Sequence, residues 1–575
     1  MTGRQSDNRR WDAETDLLVI GAGAAGMTAA LVGTLEGLKV IICEKSDMVG
    51  GTTATSAGTV WIPGSRQSEA ACVPDSIEAA RTYLAAILGD DANDARLAAF
   101  LATGPAMLDY LQQRTSVVFM PPPVHPDYHA QPGAARGGRA LGAVPFDGRK
   151  LGEDFARVRP PRREFMVLGG MMVGKTDIPP LLHPFHSLAN FSNAARLLAR
   201  QALDRIKHPR GTRLIMGNAL VARLLYSLKH HVVEIRYQTQ LSELIEDDGR
   251  IIGAVFTTND REINIRARRG VVLATGGIGW SSELRNRLFP NDTRRYSMAP
   301  DSNTGDGILA GERAHGEIAQ DIRSPALWMP SSVMPQEDGH LSVFPHIMLD
   351  RAKPGLIAVN RSGARFVNEA NSYHDFVEGM LRSHRTVPSI PAFLICDRGF
   401  IRDYGLGLIH PGTRDLSRFI KSGYLFQGDS MAKLAKAIGV DGAALAGTIE
   451  RHNRFAETGV DEDFGKGTSE LNRFNGDAAN KPNPCLRRIG PGPYFAVAVW
   501  PSDLASSAGL RTDANGRVLT SAGQPIPGLY AAGADAASIF RGTYPGPGTM
   551  IGPAMVFAWR AAMDISGKSN ELGAT

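Results

Sequence analysis

Near the N-terminus, "DLLVIGAGAAGMTAALVGTLEGLKVIICEKS" leaves few folds open to this chain. The apolar run Leu17 to Ile20 reads as a buried strand, and Gly21, Gly23 and Gly26 then satisfy G-x-G-x-x-G. Ala24 and Ala25 open the helical pattern that follows, and a second apolar run, Val40 to Cys43, ends at Glu44 and Lys45. Glu44 stands 18 residues beyond the last glycine, where a carboxylate accepts hydrogen bonds from ribose hydroxyls. Each glycine has its reason: Gly21 for a tight turn, Gly23 for close approach of a pyrophosphate, Gly26 for tight helix–strand packing. The helix N-terminus offers free amides and partial positive charge to phosphate. The whole unit predicts a Rossmann-like dinucleotide site, without choosing between NAD and FAD.

Two more strand-to-glycine units lie far downstream. "ARRGVVLATGGIG" ends a strand at Ala274, Thr275, Gly276 and Gly277, and "IPGLYAAGAD" ends one at Gly533 and Asp535. Their ends are expected to meet at the carboxyl edge of one sheet. "VGGTTATSAGTVWIPGS" follows the first unit with small residues, Gly50, Gly51, Thr52, Thr53, Ser56 and Gly58, which let backbone approach a flat ring. At 575 residues, two or three structural units are expected, and 43% hydrophobic content supplies a core.

Taken with "NTGDGI" around Asp306, these motifs resemble the fumarate reductase and succinate dehydrogenase flavoproteins. Within that superfamily the chain is most similar to the 3-ketosteroid Δ1-dehydrogenases. The resemblance spans most of the chain in the expected motif order. It implies an α/β fold: a Rossmann-like FAD-binding domain built from both chain ends (residues 1–299 and 490–575), with a catalytic domain inserted at 300–489. A partly helical excursion is expected around 150–230. Members with covalent flavin carry a histidine near Gly-Gly-Thr; this chain has none there, so dissociable FAD is expected. "FRGTYPGPGTMIGPAM" replaces the fumarate reductase pattern "HGxNRLGGN", which argues against a dicarboxylate substrate. "NRSGARFVNE" keeps a superfamily core, so Arg361, Arg365 and Glu369 are read as scaffold.

In the ketosteroid family a tyrosine and a glycine four residues later bind the ketone oxygen, and Tyr544 and Gly548 match that spacing. Removing a proton beside a ketone develops negative charge on its oxygen, which two fixed donors stabilise as an oxyanion hole does. The helix expected after them, with Thr549 and Ile551 at its start, would turn amides to the flavin. The family's proton-abstracting tyrosine corresponds to Tyr373, and Tyr128 in "HPDYHAQPG" is the candidate assistant. Tyr494 and Tyr530 are expected in the core. A phenol titrates near about 10, so it is a weak base unless its surroundings help. The implied reaction is desaturation of an apolar cyclic ketone, a 3-ketosteroid first. The alternatives are a smaller oxo-acid, another steroid bond, or reduction of an activated alkene. No second dinucleotide fingerprint is present, so a quinone or carrier protein is expected to accept the electrons.

The net charge of +5 excludes little, and no nucleic-acid partner is expected. Part of the positive charge is local: Arg196, Arg200, Arg205, Lys207, Arg210, Arg213, Arg223 and Lys229 share a stretch with leucines and isoleucines. That stretch is either a solvated helix face or an amphipathic surface for a membrane. Cys43, Cys72, Cys396 and Cys485 are scattered, as in a reducing compartment, and His183, His186, His230 and His231 lack metal-ligand partners at useful spacing. No apolar run of membrane-spanning length appears, and the polar N-terminus lacks a signal-peptide core; a cytoplasmic protein, with surface attachment as an option, is expected.

Overall fold

The computed structural model describes residues 10–569 apart from 74, 175, 260, 348 and 349. Two sheets organise them. The first has eight strands in the order Glu234–Arg236, Val40–Cys43, Ala13–Ile20, Arg261–Leu273, Arg250–Thr258 and Thr239–Asp247, with Pro525–Ala531 and Arg517–Leu519 attached beside Arg261–Leu273. Its parallel strands finish level: Ile20 lies opposite both Cys43 and Leu273, and Leu273 lies opposite Ala531. The three predicted strand-to-glycine turns therefore do share one edge.

The strand Arg261–Leu273 shows how pattern dictates placement. Ile263, Ile265 and Ala267 are buried in alternation with outward Glu262, Asn264 and Arg266, as suits an antiparallel partner with one wet face. The following Val271–Leu273 is buried on both faces and pairs in parallel with the first strand and with Leu529–Ala531. The helix Ala24–Leu35 is small and apolar on nearly every side because it is covered on more than one side, by Met216–His230 and the C-terminal helix Ile551–Ser566.

The second sheet has seven strands, ordered Leu341–Pro345, Ala326–Pro335, Tyr494–Ser506, Ala392–Asp397, Leu356–Val359, with Tyr296–Ser297 and Leu425–Gly428 also paired to Tyr494–Ser506. This departs from the expected boundaries at 300 and 489. The strand Tyr494–Ser506 is the spine of the second sheet, not a return to the first. The helix Asp306–Arg313 packs on the first sheet, and Glu317 and Ala319 bond to Leu519 and Gly509. We therefore propose residues 324–506, together with the strand Tyr296–Ser297, as the inserted unit. The proline-rich segment before Tyr494 marks a loop, which composition reveals, while sheet membership depends on distant partners.

Between 150 and 230 the chain forms a short 3-10 segment, Gly148–Arg157, and the helices Leu188–Lys207 and Met216–His230. Met216–His230 is a core helix, and Arg223 there spends its guanidinium on the carbonyls of Val144, Ser116 and Pro145. Arg210 bonds Asn218 and the Val158 carbonyl, and Arg213 pairs with Asp177. The basic stretch 196–229 is thus not one surface: Arg210, Arg213 and Arg223 serve as scaffolding, while Lys229 is exposed and pairs with Asp154.

Inside the inserted unit a buried ionic cluster fixes the loop that leads to Tyr373. Arg365 makes paired bonds to Glu369 (2.8 and 2.8 Å) and to Asp461 (2.9 and 2.9 Å), and Lys466 lies 3.3 Å from Glu369. Burial pushes the Glu369 carboxyl up, but Arg365 and Lys466 prevail and hold it well below the usual carboxylate range. Glu369→Gln leaves Arg365 and Lys466 short of a counter-charge, and the expected loss is about 3–5 kcal/mol of unfolding free energy, read by denaturant titration. The native contribution of Glu369 is complete above its ordinary pKa of 4.5 and declines as pH falls below it, so parent and variant should converge in acid.

Candidate active site

At the shared strand edge, glycine is enforced by contact. A Cβ on Gly21, whose φ is +105°, would sit 2.2 Å from the Ala274 carbonyl oxygen, and one on Gly26 would sit 1.9 Å from that of Gly21. Gly23 caps the helix Ala24–Leu35 with no side-chain partner and no acid in the first turn. A Cβ there would meet only the Thr53 hydroxyl, at 3.9 Å, so the backbone is open to a ligand. The Ala24 amide donates to that hydroxyl (3.2 Å), and Ala25 lies against Gly533. Glu44 is held at its strand end by the amides of Ala22 (2.8 Å) and Ser46 (2.9 Å).

The other predicted cofactor residues divide into two groups. Gly50 and Gly51 start a short helix carrying Thr52 and Thr53, and Asn303 ties Thr52 to the Gly276 carbonyl (3.1 and 2.9 Å). Lys45 pairs with Asp306 at 3.0 Å. Asp535 is fully buried and takes hydrogen bonds from the Thr275 amide (2.6 Å), the Thr275 hydroxyl (2.8 Å) and the Gly277 amide (2.9 Å). Burial pushes its carboxyl up against those bonds. Its oxygens join two glycine turns rather than facing outward. Ser56 and Gly58 are likewise engaged locally: the Ser56 carbonyl accepts from Gly217, its hydroxyl accepts from Gly58, and Gly58 turns against Met216. Thr549 donates to the Gly546 carbonyl (2.9 Å), and Ile551 begins the C-terminal helix, which has no side-chain cap. Open amides at two uncapped helix starts, the glycine edge and the fixed Glu44 suit a dinucleotide with a ring system.

The three candidate tyrosines, far apart in the chain, meet. The Tyr128 hydroxyl donates to Tyr373 (3.2 Å), which donates to Tyr544 (2.8 Å). Their rings stand edge to face, with centroids 5.1 to 5.7 Å apart. All three are buried with Met298, Leu327, Met329 and Leu471, and Leu504 and Met550 border the cluster. Burial raises each phenol: Tyr544 to about 12, and Tyr128 and Tyr373 well above 10. Gly548 has φ +96°, and a Cβ would lie 2.7 Å from the Thr59 carbonyl oxygen. Among the described residues no acceptor takes the Gly548 amide. Tyr494 instead begins the spine strand, and Tyr530 donates to Asp564.

Several supporting residues escape a reading of the sequence. The Pro545 carbonyl accepts from the Tyr83 hydroxyl (2.6 Å) and the Tyr128 amide (2.8 Å), which pins Tyr128 beside Tyr544. Asp127, next to Tyr128, binds the Trp61 indole (2.8 Å) and Arg139 (2.7 Å), and Arg139 also binds Asp75. Tyr373 is the first residue of the helix Tyr373–His384, whose cap Ser372 accepts from Asp375. His374 accepts from the Trp328 amide (3.1 Å) and lies edge-on to Tyr544; burial lowers its pKa, which keeps it neutral. Of these, only the Ser-x-x-Asp cap has a local signal.

This fold and site define a flavin-type oxidoreductase. The FAD binding domain family matches residues 16–551. The chain is 38% identical to 4-oxocyclohex-2-ene-1-carboxylate 5-dehydrogenase of Sinomonas cyclohexanicum, over 96% of this chain and 93% of the other. It is 36% identical to 3-oxosteroid 1-dehydrogenase of Mycobacterium tuberculosis, over 97% and 99%. The crystal structure of 3-ketosteroid Δ1-dehydrogenase from Sterolibacterium denitrificans, in complex with 1,4-androstadiene-3,17-dione, superposes with a TM-score of 0.90 at 34% identity, covering 96% and 99%. The chain therefore belongs to the FAD binding domain family, in the 3-ketosteroid Δ1-dehydrogenase branch related to the fumarate reductases. It is an FAD-dependent oxidoreductase. Gly26→Val should yield protein lacking the flavin absorbance near 450 nm, because its side chain occupies the space of the Gly21 carbonyl. Retention of stoichiometric flavin would contradict that packing argument.

Proposed function

We propose that this enzyme is a 3-ketosteroid Δ1-dehydrogenase, forming a C1–C2 double bond in a 3-ketosteroid ring. The observation that carries this reading is the hydroxyl chain Tyr128–Tyr373–Tyr544 within an apolar enclosure. Tyr544 and the Gly548 amide would donate to the ketone oxygen and stabilise the charge that develops there. Tyr373, supported by Tyr128, would take the proton from the adjacent carbon. Gly21, Gly23, Gly26, Glu44 and the start of the C-terminal helix would hold FAD, without a covalent link. Bound FAD supplies the acceptor for the hydride equivalent. A quinone or carrier protein is the proposed final acceptor.

A second reading, a smaller oxo-acid substrate, has one observation in its favour. Arg162 is largely buried, and its guanidinium donates to the carbonyl of Val343 (3.1 Å), a residue packed against the tyrosine cluster. Burial lowers its pKa, and Glu164 at 3.6 Å is the facing carboxylate.

Purified enzyme with an artificial electron acceptor should convert 4-androstene-3,17-dione to a 1,2-desaturated product. Turnover of 4-oxocyclohexanecarboxylate, with no flavin bleaching by steroids, would overturn the steroid assignment in favour of the oxo-acid. Tyr544→Phe should keep FAD and lose about 10²–10³-fold in kcat, as for removal of one oxyanion donor. Parental turnover in that variant would remove the hydroxyl from the mechanism.

Acid–base behaviour gives an independent check. A phenol must be ionised to act as base, and burial raises the Tyr373 pKa, so its active form is scarce at neutrality and grows with pH. The rate should climb from pH 7 towards 10, with no plateau below the ordinary phenol pKa of 10.0, and Tyr373→Phe should abolish the climb.

A further inference from the structure

One helix is built inside out. Leu188–Lys207 turns Gln201 and Asp204 inward, where Gln201 donates to the Leu168 carbonyl (3.1 Å) and Asp204 accepts from the amide and hydroxyl of Thr212 (2.8 Å each). One outward stripe is apolar: Leu188, Phe191, Ala195, Leu198, Ala202 and Ile206, spaced three or four apart, are all exposed. Leu188 is 89% exposed and Ile206 75%, values that ordinary surface leucines and isoleucines on a folded domain do not need. The preceding turn extends the patch, with Phe185 87% exposed and stacked on Phe191 at 6.1 Å.

Charge decides what covers this face. At about 100° per residue, Arg196 and Lys207 fall on one flank of the stripe and Arg205 on the other. All three are exposed. From Ile178 to Lys207 the only carboxylate is Asp204, and it is turned inward. An apolar ridge between cationic flanks, with no exposed acid, matches an anionic lipid surface: the ridge enters the acyl boundary and the arginines meet the headgroups. A second copy of the chain would bring the same cations against these cations. Among the described residues no helix is long and apolar enough to cross a membrane.

We infer that residues 182–207 seat the enzyme on the surface of an anionic bilayer as an in-plane amphipathic helix. The inference does not depend on which ketone is oxidised. The charge-based stretch of 196–229 is narrowed and shifted: the contact is the helix Leu188–Lys207 with its preceding turn, and Arg213, Arg223 and Lys229 have no part in it.

The test uses FAD-loaded enzyme and sedimentation with vesicles of phosphatidylcholine containing 30% phosphatidylglycerol, against pure phosphatidylcholine. The parent should pellet with the anionic vesicles and bind the neutral ones at least tenfold less. F185S/L188S/F191S/I206S should lose at least tenfold in anionic-vesicle binding while its flavin spectrum and turnover stay unchanged. R196Q/R205Q/K207Q should lose the preference for anionic lipid. Parental binding by the serine variant overturns the proposal, as does failure of the parent to bind either vesicle. Light scattering adds a decisive alternative: a parent dimer that the serine variant splits, without vesicle binding, makes the face a self-interface and overturns the lipid assignment.

Discussion

Everything in the site depends on how Asp535 is bonded. Its buried carboxylate draws together the turn after Leu273 and the turn after Ala531, through the amides of Thr275 and Gly277 and the Thr275 hydroxyl. Buried from water, these bonds have no solvent to compete with them. They hold the C-terminal stretch against the sheet formed by the N-terminal unit. Tyr544 and Ile551 follow within 16 residues of Asp535, so one anchored turn sets the position of both the phenol and the final helix.

The tyrosine cluster is assembled from three remote segments. Tyr128 and Tyr373 are 245 residues apart, and Tyr373 and Tyr544 are 171 apart. Tyr128 is tied to Pro545, within the same loop as Tyr544, while Tyr373 comes from the inserted unit, where Ser372 and the Arg365–Glu369 pair orient its helix. Two phenols thus ride on one unit and the third on the other. Their hydroxyl chain exists only when the units are docked, so the proposed chemistry would lie at a seam between units, where ligand sites often form.

Local patterns in the sequence expose what is decided locally. The glycine fingerprint and the level strand ends each leave a short signature, because a turn needs particular residues at fixed offsets, whereas the tyrosine positions follow only from the family resemblance. Partnerships made across hundreds of residues leave none: nothing near Tyr83 announces the Pro545 carbonyl, and nothing near Arg139 announces Asp75 and Asp127 together. The proline-rich segment before Tyr494 suggests a boundary near 489, yet Tyr494–Ser506 pairs within the second sheet, since loop composition does not name a strand's neighbours. The basic stretch misled in a different way. Arginine has both a charge and five donors, and Arg223 uses the donors on interior carbonyls, which a count of charges cannot detect.

Gly548 combines a left-handed backbone, an open amide and a crowded Cβ position. Where a donor belongs to the main chain, ordinary point substitution changes its placement but does not delete it. Proline would remove the N–H, yet its fixed negative φ is incompatible with +96°. Half of the proposed carbonyl clamp is therefore insulated from side-chain change, and the activity left in a chain without the Tyr544 hydroxyl becomes a measure of what a lone peptide dipole can do.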